Sequence, residues 1–265
     1  MARAIAVIPG LVFALAIGVA GCFEKNEDKK LKFDKNAVGD LLKNYKQHEK
    51  HYSQVNEEFI IRDFFRDRRD GVFLDVGCAD ALHFSTTAYL EKHLGWSGIG
   101  VDALSEWAPG YAQHRPRTKF HNYLVTNASG AKTTFYRSRE PTLSSIKEYR
   151  VKKFGKFTEM VVESITLDDL LAKEGVAKLD FVSIDIEDAE PEALEGFDIQ
   201  RFQPELVCIE AHKPVRQAIL AYFRKHGYER IEVYRKYDWP GSKIGELNWY
   251  FTTEKIARER FKQRR

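Results

Sequence analysis

The sequence predicts an α/β fold: a seven-stranded, mostly parallel sheet with helices on both faces, closed by an antiparallel C-terminal strand pair. Three observations point there. From residue 71 onward, short apolar runs alternate with helix-length amphipathic stretches, the order that builds parallel sheets. The run Val72-Phe73-Leu74-Asp75-Val76 turns at Gly77, a helix-length stretch follows with Phe84, Ala88 and Leu90 on one side, and the next run, Ile99-Gly100-Val101, ends on Asp102. Near the C-terminus, Tyr228 to Tyr234 and Leu247 to Thr252 read as two strands joined by Asp238-Trp239-Pro240-Gly241.

Taken in order, residues 1–23 are one basic residue, Arg3, followed by an apolar segment from Ala4 to Ala20, a secretion or anchoring signal outside the fold. Its end, Val19-Ala20-Gly21-Cys22, resembles a bacterial lipobox, so lipid on Cys22 is the favoured tether. The alternative is a single-span anchor facing the cytoplasm, which the lysines of the charged linker, residues 24–35, would favour. Residues 36–70 read as a helical lead-in, with Leu41, Leu42, Tyr45, Phe59, Ile60, Phe64 and Phe65 at helical spacing. Within it Ser53 or Asn56 is placed to cap a helix start.

The core domain is expected over residues 71–253. Past Asp102 the segment to Arg117 reads as a loop, with Pro109, Gly110 and Pro116. Lys119 to Val125 reads as a third strand, Thr133 to Arg137 and Met160 to Ile165 as two extra strands. Between the last two, Ser138 to Phe157 is a polar insertion with basic residues at Lys147, Arg150, Lys152, Lys153 and Lys156, a candidate substrate lid. Thr166 caps the following helix. Leu179 to Ile186 and Leu206 to Ala211 are further parallel strands, followed by helices from Pro191 and from Val215 to His226.

Composition narrows the partners. The formal charge is +3, but residues 254–265 hold six basic and two acidic side chains, so this tail carries +4 and the rest −1. No basic face for nucleic acid follows, and no nucleic-acid partner is expected. The three cysteines, Cys22, Cys78 and Cys208, are too few for a disulfide scaffold.

Strand, glycine turn, helix, strand and acid form the first half of a nucleotide site, where Asp102 is placed to accept ribose hydroxyls. A dinucleotide fingerprint needs glycines where Ala79 and Leu82 stand, which disfavours a nicotinamide cofactor. The turn fits S-adenosylmethionine (SAM) better, with Asp75, Gly77, Cys78, Asp80 and Asp102 as the cofactor-binding candidates. For methyl transfer the protein must align an acceptor and remove its proton. Six acids crowd the eleven residues from Asp185 to Glu195. Asp185 at its strand tip is a candidate base, and His212, at the end of the neighbouring strand, is another. Glu190, Glu192 and Glu195 read as first-turn helix acids open to water. No decisive metal-ligand pattern is present.

Assembled, these residues resemble the FkbM family of SAM-dependent methyltransferases. The resemblance runs from Tyr52 to Phe251: Tyr52-Ser53-Gln54 with Glu57-Glu58, Phe73-Leu74-Asp75-Val76-Gly77 with Leu94-Gly95-Trp96-Ser97-Gly98, Ile184-Asp185-Ile186-Glu187-Asp188-Ala189-Glu190, and Asn248-Trp249-Tyr250-Phe251. It implies a class I, Rossmann-like fold and, with the N-terminal segment supplying a membrane tether, an O-methyltransferase acting on a hydroxyl of a sugar, glycan or small metabolite. The chain departs where the family commonly has Asn-Asp-Gly, here Ala79-Asp80-Ala81, and glycine, here Asp188. Those departures, with the export signal, motivate the alternative of a non-catalytic binding or structural protein that kept the fold.

Overall fold

The structure, a computed structural model, describes residues 45, 51–238 and 247–262. The signal segment, Cys22, the charged linker and the Trp239-Pro240-Gly241 turn lie outside the described residues. No helix among the described residues is long and apolar enough to cross a membrane.

The main sheet has seven strands in the order β3-β2-β1-β7-β8-β10-β9: β1 (Val72–Val76), β2 (Ser97–Asp102), β3 (Thr118–Asn122), β7 (Phe181–Ile184), β8 (Leu206–Glu210), β9 (Tyr228–Arg230) and β10 (Asn248–Thr253). The first five run parallel, and β10 pairs antiparallel with both β8 and β9. β7 and β8 are buried along their whole length, as near-continuous apolar runs require when helices cover both faces. A second sheet, in the order β4-β6-β5, joins β4 (Leu124–Val125), β5 (Lys132–Ser138) and β6 (Phe157–Ile165).

Side-chain alternation along β1 sends Leu74 and Val76 to one face and Phe73 to the other. The first face packs on α5 (Leu167–Lys173), α6 (Glu190–Glu195), α7 (Ile199–Phe202) and α8 (Arg216–Lys225) through Leu170, Leu194, Phe202 and Phe223. The second packs on α1 (Glu57–Phe65), α2 (Ala88–Leu94) and α9 (Glu254–Lys262) through Phe65, Leu94 and Phe261. The basic C-terminal tail is thus a docked helix as far as Lys262, with Ala257 and Phe261 buried, and more than a solvated end.

Ser53 and the two glutamates fix the entry to α1. The Glu58 N–H donates to Ser53 Oγ at 3.1 Å while the Glu58 carboxylate accepts from Tyr52 N–H at 2.9 Å, an exchange like a capping box. Asn56 makes no such cap. Glu57 accepts from Val55 N–H and from Asn248 Nδ2, tying this turn to β10.

Four elements differ from the sequence expectation, each for a local reason. The helix after Gly77 starts only at Ala88. Asp80 Oδ1 accepts the N–H groups of Leu82 and His83, a side-chain turn that competes with helix, and Phe84 is exposed at a φ of 59°. The segment after Asp102 is helical, with a 3-10 turn at Ser105–Trp107 and α3 (Ala108–His114), because Pro109 sits in the first turn, where no N–H is needed. The third strand divides: Tyr123 N–H donates to Asp102 O, and Leu124–Val125 leaves to pair with Ser164 and Ile165. β9 stops at Arg230, and Glu232–Tyr234 forms a 3-10 turn that buries Tyr234 against the second face.

Candidate active site

The C-terminal ends of β1, β2, β4 and β7 line a cleft. It opens at the switch point of the sheet, where β1 is flanked by β2 on one side and β7 on the other. Gly77, Ala79, Asp102, Asp185 and Glu187 line it together with Trp107, Phe135, Pro141, Thr142, Ser144 and Ile146.

Gly77 is required by geometry. Its φ is +76°, and a Cβ there would lie 1.9 Å from the Asp185 carbonyl oxygen. The turn is closed by Gly77 N–H on Val101 O at 2.9 Å. Asp102 then organises the loops: Oδ2 accepts Ala79 N–H at 3.1 Å and Oδ1 accepts Leu104 N–H at 2.8 Å. Each oxygen keeps a further lone pair, so the carboxylate can accept a pair of hydroxyls from the cleft. Burial pushes its pKa up to about 6, against the two backbone hydrogen bonds.

The other cofactor candidates sit off the cleft wall. Asp75 shares the Phe73 face of β1, is buried, and accepts from Thr87 Oγ1 at 2.7 Å. Burial raises it to about 6, with Thr87 and Arg115 opposing. Cys78 is buried, its carbonyl accepts from Tyr111 OH at 2.9 Å, and burial pushes its thiol well above the ordinary range. Burial works against the charge of Asp80, but the His83 and Leu82 N–H groups hold its carboxyl below the usual value. These three residues shape the turn.

Sequence reading missed what holds that turn. Arg115 is fully buried and spends all five guanidinium N–H groups: Nε on Glu91 at 2.7 Å, then Ala81 O, Ser85 Oγ, Thr87 Oγ1 and Thr118 Oγ1 at 3.0 to 3.2 Å. The Thr87 hydroxyl passes its own proton toward Asp75, so one network links Arg115 to the β1 strand.

Strain accompanies the turn. Ala79 has a φ of 43°, whereas Ala81 is not among the residues with positive φ. Left-handed backbone costs an L-residue about 1 kcal/mol. Ala79→Gly, or the asparagine common in this place, is therefore expected to raise the unfolding free energy by about 0.5–1 kcal/mol. Urea denaturation reads this, and an unchanged midpoint would show that the turn carries no such strain.

The acidic turn after β7 is the second half of the site. Glu187 and Asp188 both have positive φ, 57° and 73°, the latter where the resembled family has glycine. The insertion is stapled onto this turn: Ser145 Oγ donates to Glu187 O at 2.7 Å, Tyr149 OH to Asp188 Oδ2 at 2.9 Å, and Arg150 Nε to Glu187 Oε2 at 2.6 Å. Lys147 pairs with Glu192, and Asn127 with Glu195. Glu190 is fully buried and accepts from Ile186 N–H, which corrects the expectation that it is open to water.

The two catalytic candidates stand near each other, but only Asp185 lines the cleft. Asp185 is exposed to that cleft, with Glu210 of the neighbouring strand end nearby. Glu210 Oε2 lies 3.1 Å from His212 Nδ1, and His212 Nε2 meets Arg150 at 3.0 Å behind the wall. Crowding by Asp185, Glu187 and Glu190 adds to the burial that pushes Glu210 far up.

The description "Methyltransferase FkbM domain" matches residues 75–230. No curated protein matches the chain. Among solved structures, the chain is 15% identical to the 1,6-didemethyltoxoflavin-N1-methyltransferase of Burkholderia thailandensis, with 75% of this chain and 77% of that one covered and a TM-score of 0.39. It is 15% identical to a TehB-like SAM-dependent methyltransferase of Corynebacterium glutamicum, covering 76% and 89% at a TM-score of 0.42. With the O-methyltransferase of Bacillus cereus it shares 11% identity, over 83% and 91%, at 0.41. The glycine turn, Asp102 and the acidic turn fall within the matched span, and the chain belongs to the FkbM methyltransferase family, whose methyl donor is SAM.

Proposed function

We propose that this chain methylates a hydroxyl of a sugar, glycan or small metabolite bound beneath the insertion. The observation that carries the reading is that Gly77, Asp102 and Asp185, from three strand ends, line one cleft. Asp102 holds the ribose hydroxyls of SAM, and Gly77 lets the turn pack directly on the backbone after β7, where the cleft wall forms. SAM supplies an electrophilic methyl group. Asp185 accepts the proton of the acceptor hydroxyl from its place on the cleft wall. A carboxylate on the cleft wall suits an acceptor that loses a proton on methylation, as a hydroxyl does.

Calorimetric titration separates the roles. Asp102→Ala is expected to weaken SAM binding about 100-fold, the worth of one or two hydrogen bonds to a charged group. Asp185→Asn is expected to bind SAM nearly as wild type while methyl transfer from labelled SAM to a panel of sugar and small-molecule hydroxyls falls at least about 100-fold. Folded wild-type chain that binds no SAM would sink the enzyme reading in favour of a non-catalytic module.

A further inference from the structure

The carboxylates around His212 exceed what the surrounding cations balance. Asp185, Glu187, Asp188, Glu190 and Glu210 meet at the ends of β7 and β8, and Arg150 is the guanidinium placed among them. Glu210 Oε2, Asp188 Oδ1 and His212 Nδ1 are buried and make no hydrogen bond. The parent side chains of the two carboxylates are 7% and 2% exposed. His212 Nδ1 stands 3.1 Å from Glu210 Oε2, the spacing of two donors on one ion, and 3.3 Å from Asp188 Oδ1. Metal–ligand bonds of about 2.1 Å at angles between 90° and tetrahedral separate neighbouring donors by about 3.0–3.4 Å. A single imidazole N–H cannot satisfy both carboxylates. Glu187 completes the set, since Glu187, Glu210 and His212 each offer a ligand atom within 4.8 Å of the others.

We infer that Glu187, Glu210 and His212 form a binding site for one divalent transition-metal ion beside the methyl-transfer cleft. One imidazole among carboxylates favours manganese, iron, cobalt or zinc over magnesium or calcium, which prefer oxygen alone. Arg150 is the competing cation. Its guanidinium holds Glu187 and touches His212 Nε2, so an ion bound at Nδ1 displaces it from the ring, which then carries its proton on Nε2. The inference concerns the wall of the cleft proposed above and extends that reading, but the ion is detectable without turnover.

The test is a manganese titration of chelator-stripped full-length protein at pH 7.5, followed by loss of the free-ion electron paramagnetic resonance signal. One ion per chain is expected. Glu210→Gln and His212→Ala should each weaken binding at least 100-fold, and Arg150→Gln should tighten it. Should His212→Ala fail to fold, the spin-echo modulation of a coordinated imidazole nitrogen in wild-type protein answers the same question. No saturable binding in wild type and Arg150→Gln, unchanged binding in Glu210→Gln, or an echo without nitrogen modulation each overturns the site. SAM titration in chelator, run in parallel, keeps the two readings apart: lost SAM binding with manganese retained counts against the methyltransferase reading alone.

Discussion

Gly77→Ala is expected to lower the unfolding free energy by about 3–5 kcal/mol and to abolish SAM binding in whatever fraction still folds. Two costs combine. An alanine at a φ of +76° pays about 1 kcal/mol for the left-handed backbone alone. The larger cost is the contact, because the new Cβ would stand 1.9 Å from the Asp185 carbonyl oxygen and 2.9 Å from its carbon. Both are backbone atoms of the segment following β7, so no side chain can swing aside. Relief requires the ends of β1 and β7 to part where Val76 pairs with Ile184, which opens the cleft wall itself. Gly130→Ala is the control: its φ is +78° with nothing within 4 Å of the added carbon, so it should lose only about 1 kcal/mol. Equal losses in urea denaturation for the two variants would show that conformation, and not the contact, dominates at Gly77.

The sheet was readable because its central strands are buried on both faces, which forces apolar runs such as Leu179 to Ile184, broken only at Asp180 and Ser183. Gly77, Asp102 and Asp185 were readable for a related reason: each marks the point where such a run ends, and strand ends are where this sheet places its cleft. The position of Asp75 was open to the same logic and went unread. Alternation puts it beside Phe73, under Thr87 and off the cleft wall. Pro109 misled because proline breaks a helix interior but suits a first turn. Phe84 misled because its spacing to Ala88 is helical, whereas the turn built by Asp80 overrides that spacing. The docking of the insertion has no local signature. Arg150 meets Glu187 and His212 across 37 and 62 residues, and neither periodicity nor capping reports on contacts of that range.

Arg115 is the strongest case of a site determinant hidden in sequence, where it stands beside Pro116 like a surface residue. Arg115→Met is expected to cost about 3–5 kcal/mol, because it leaves Glu91 buried and without its counter-charge. The more informative variant is Arg115→Lys, which keeps the charge. A lysine has three donors on one nitrogen and cannot reach five acceptors spread around a planar fork. Of Glu91, Ala81 O, Ser85, Thr87 and Thr118, at least two then go unserved in the dry interior, for an expected loss of about 2–3 kcal/mol. The loss should concentrate where the acceptors lie. Ala81, Ser85 and Thr87 belong to the irregular stretch between Gly77 and α2, so its amides should exchange with deuterium much faster in Arg115→Lys, while those of β7 and β8 slow or quicken only with global stability. SAM binding should weaken in the same variant through the loosened turn, with Asp102 untouched. Wild-type exchange between residues 81 and 87 in Arg115→Lys would show that the charge of Arg115, and not the five-fold geometry of its fork, holds the cofactor turn.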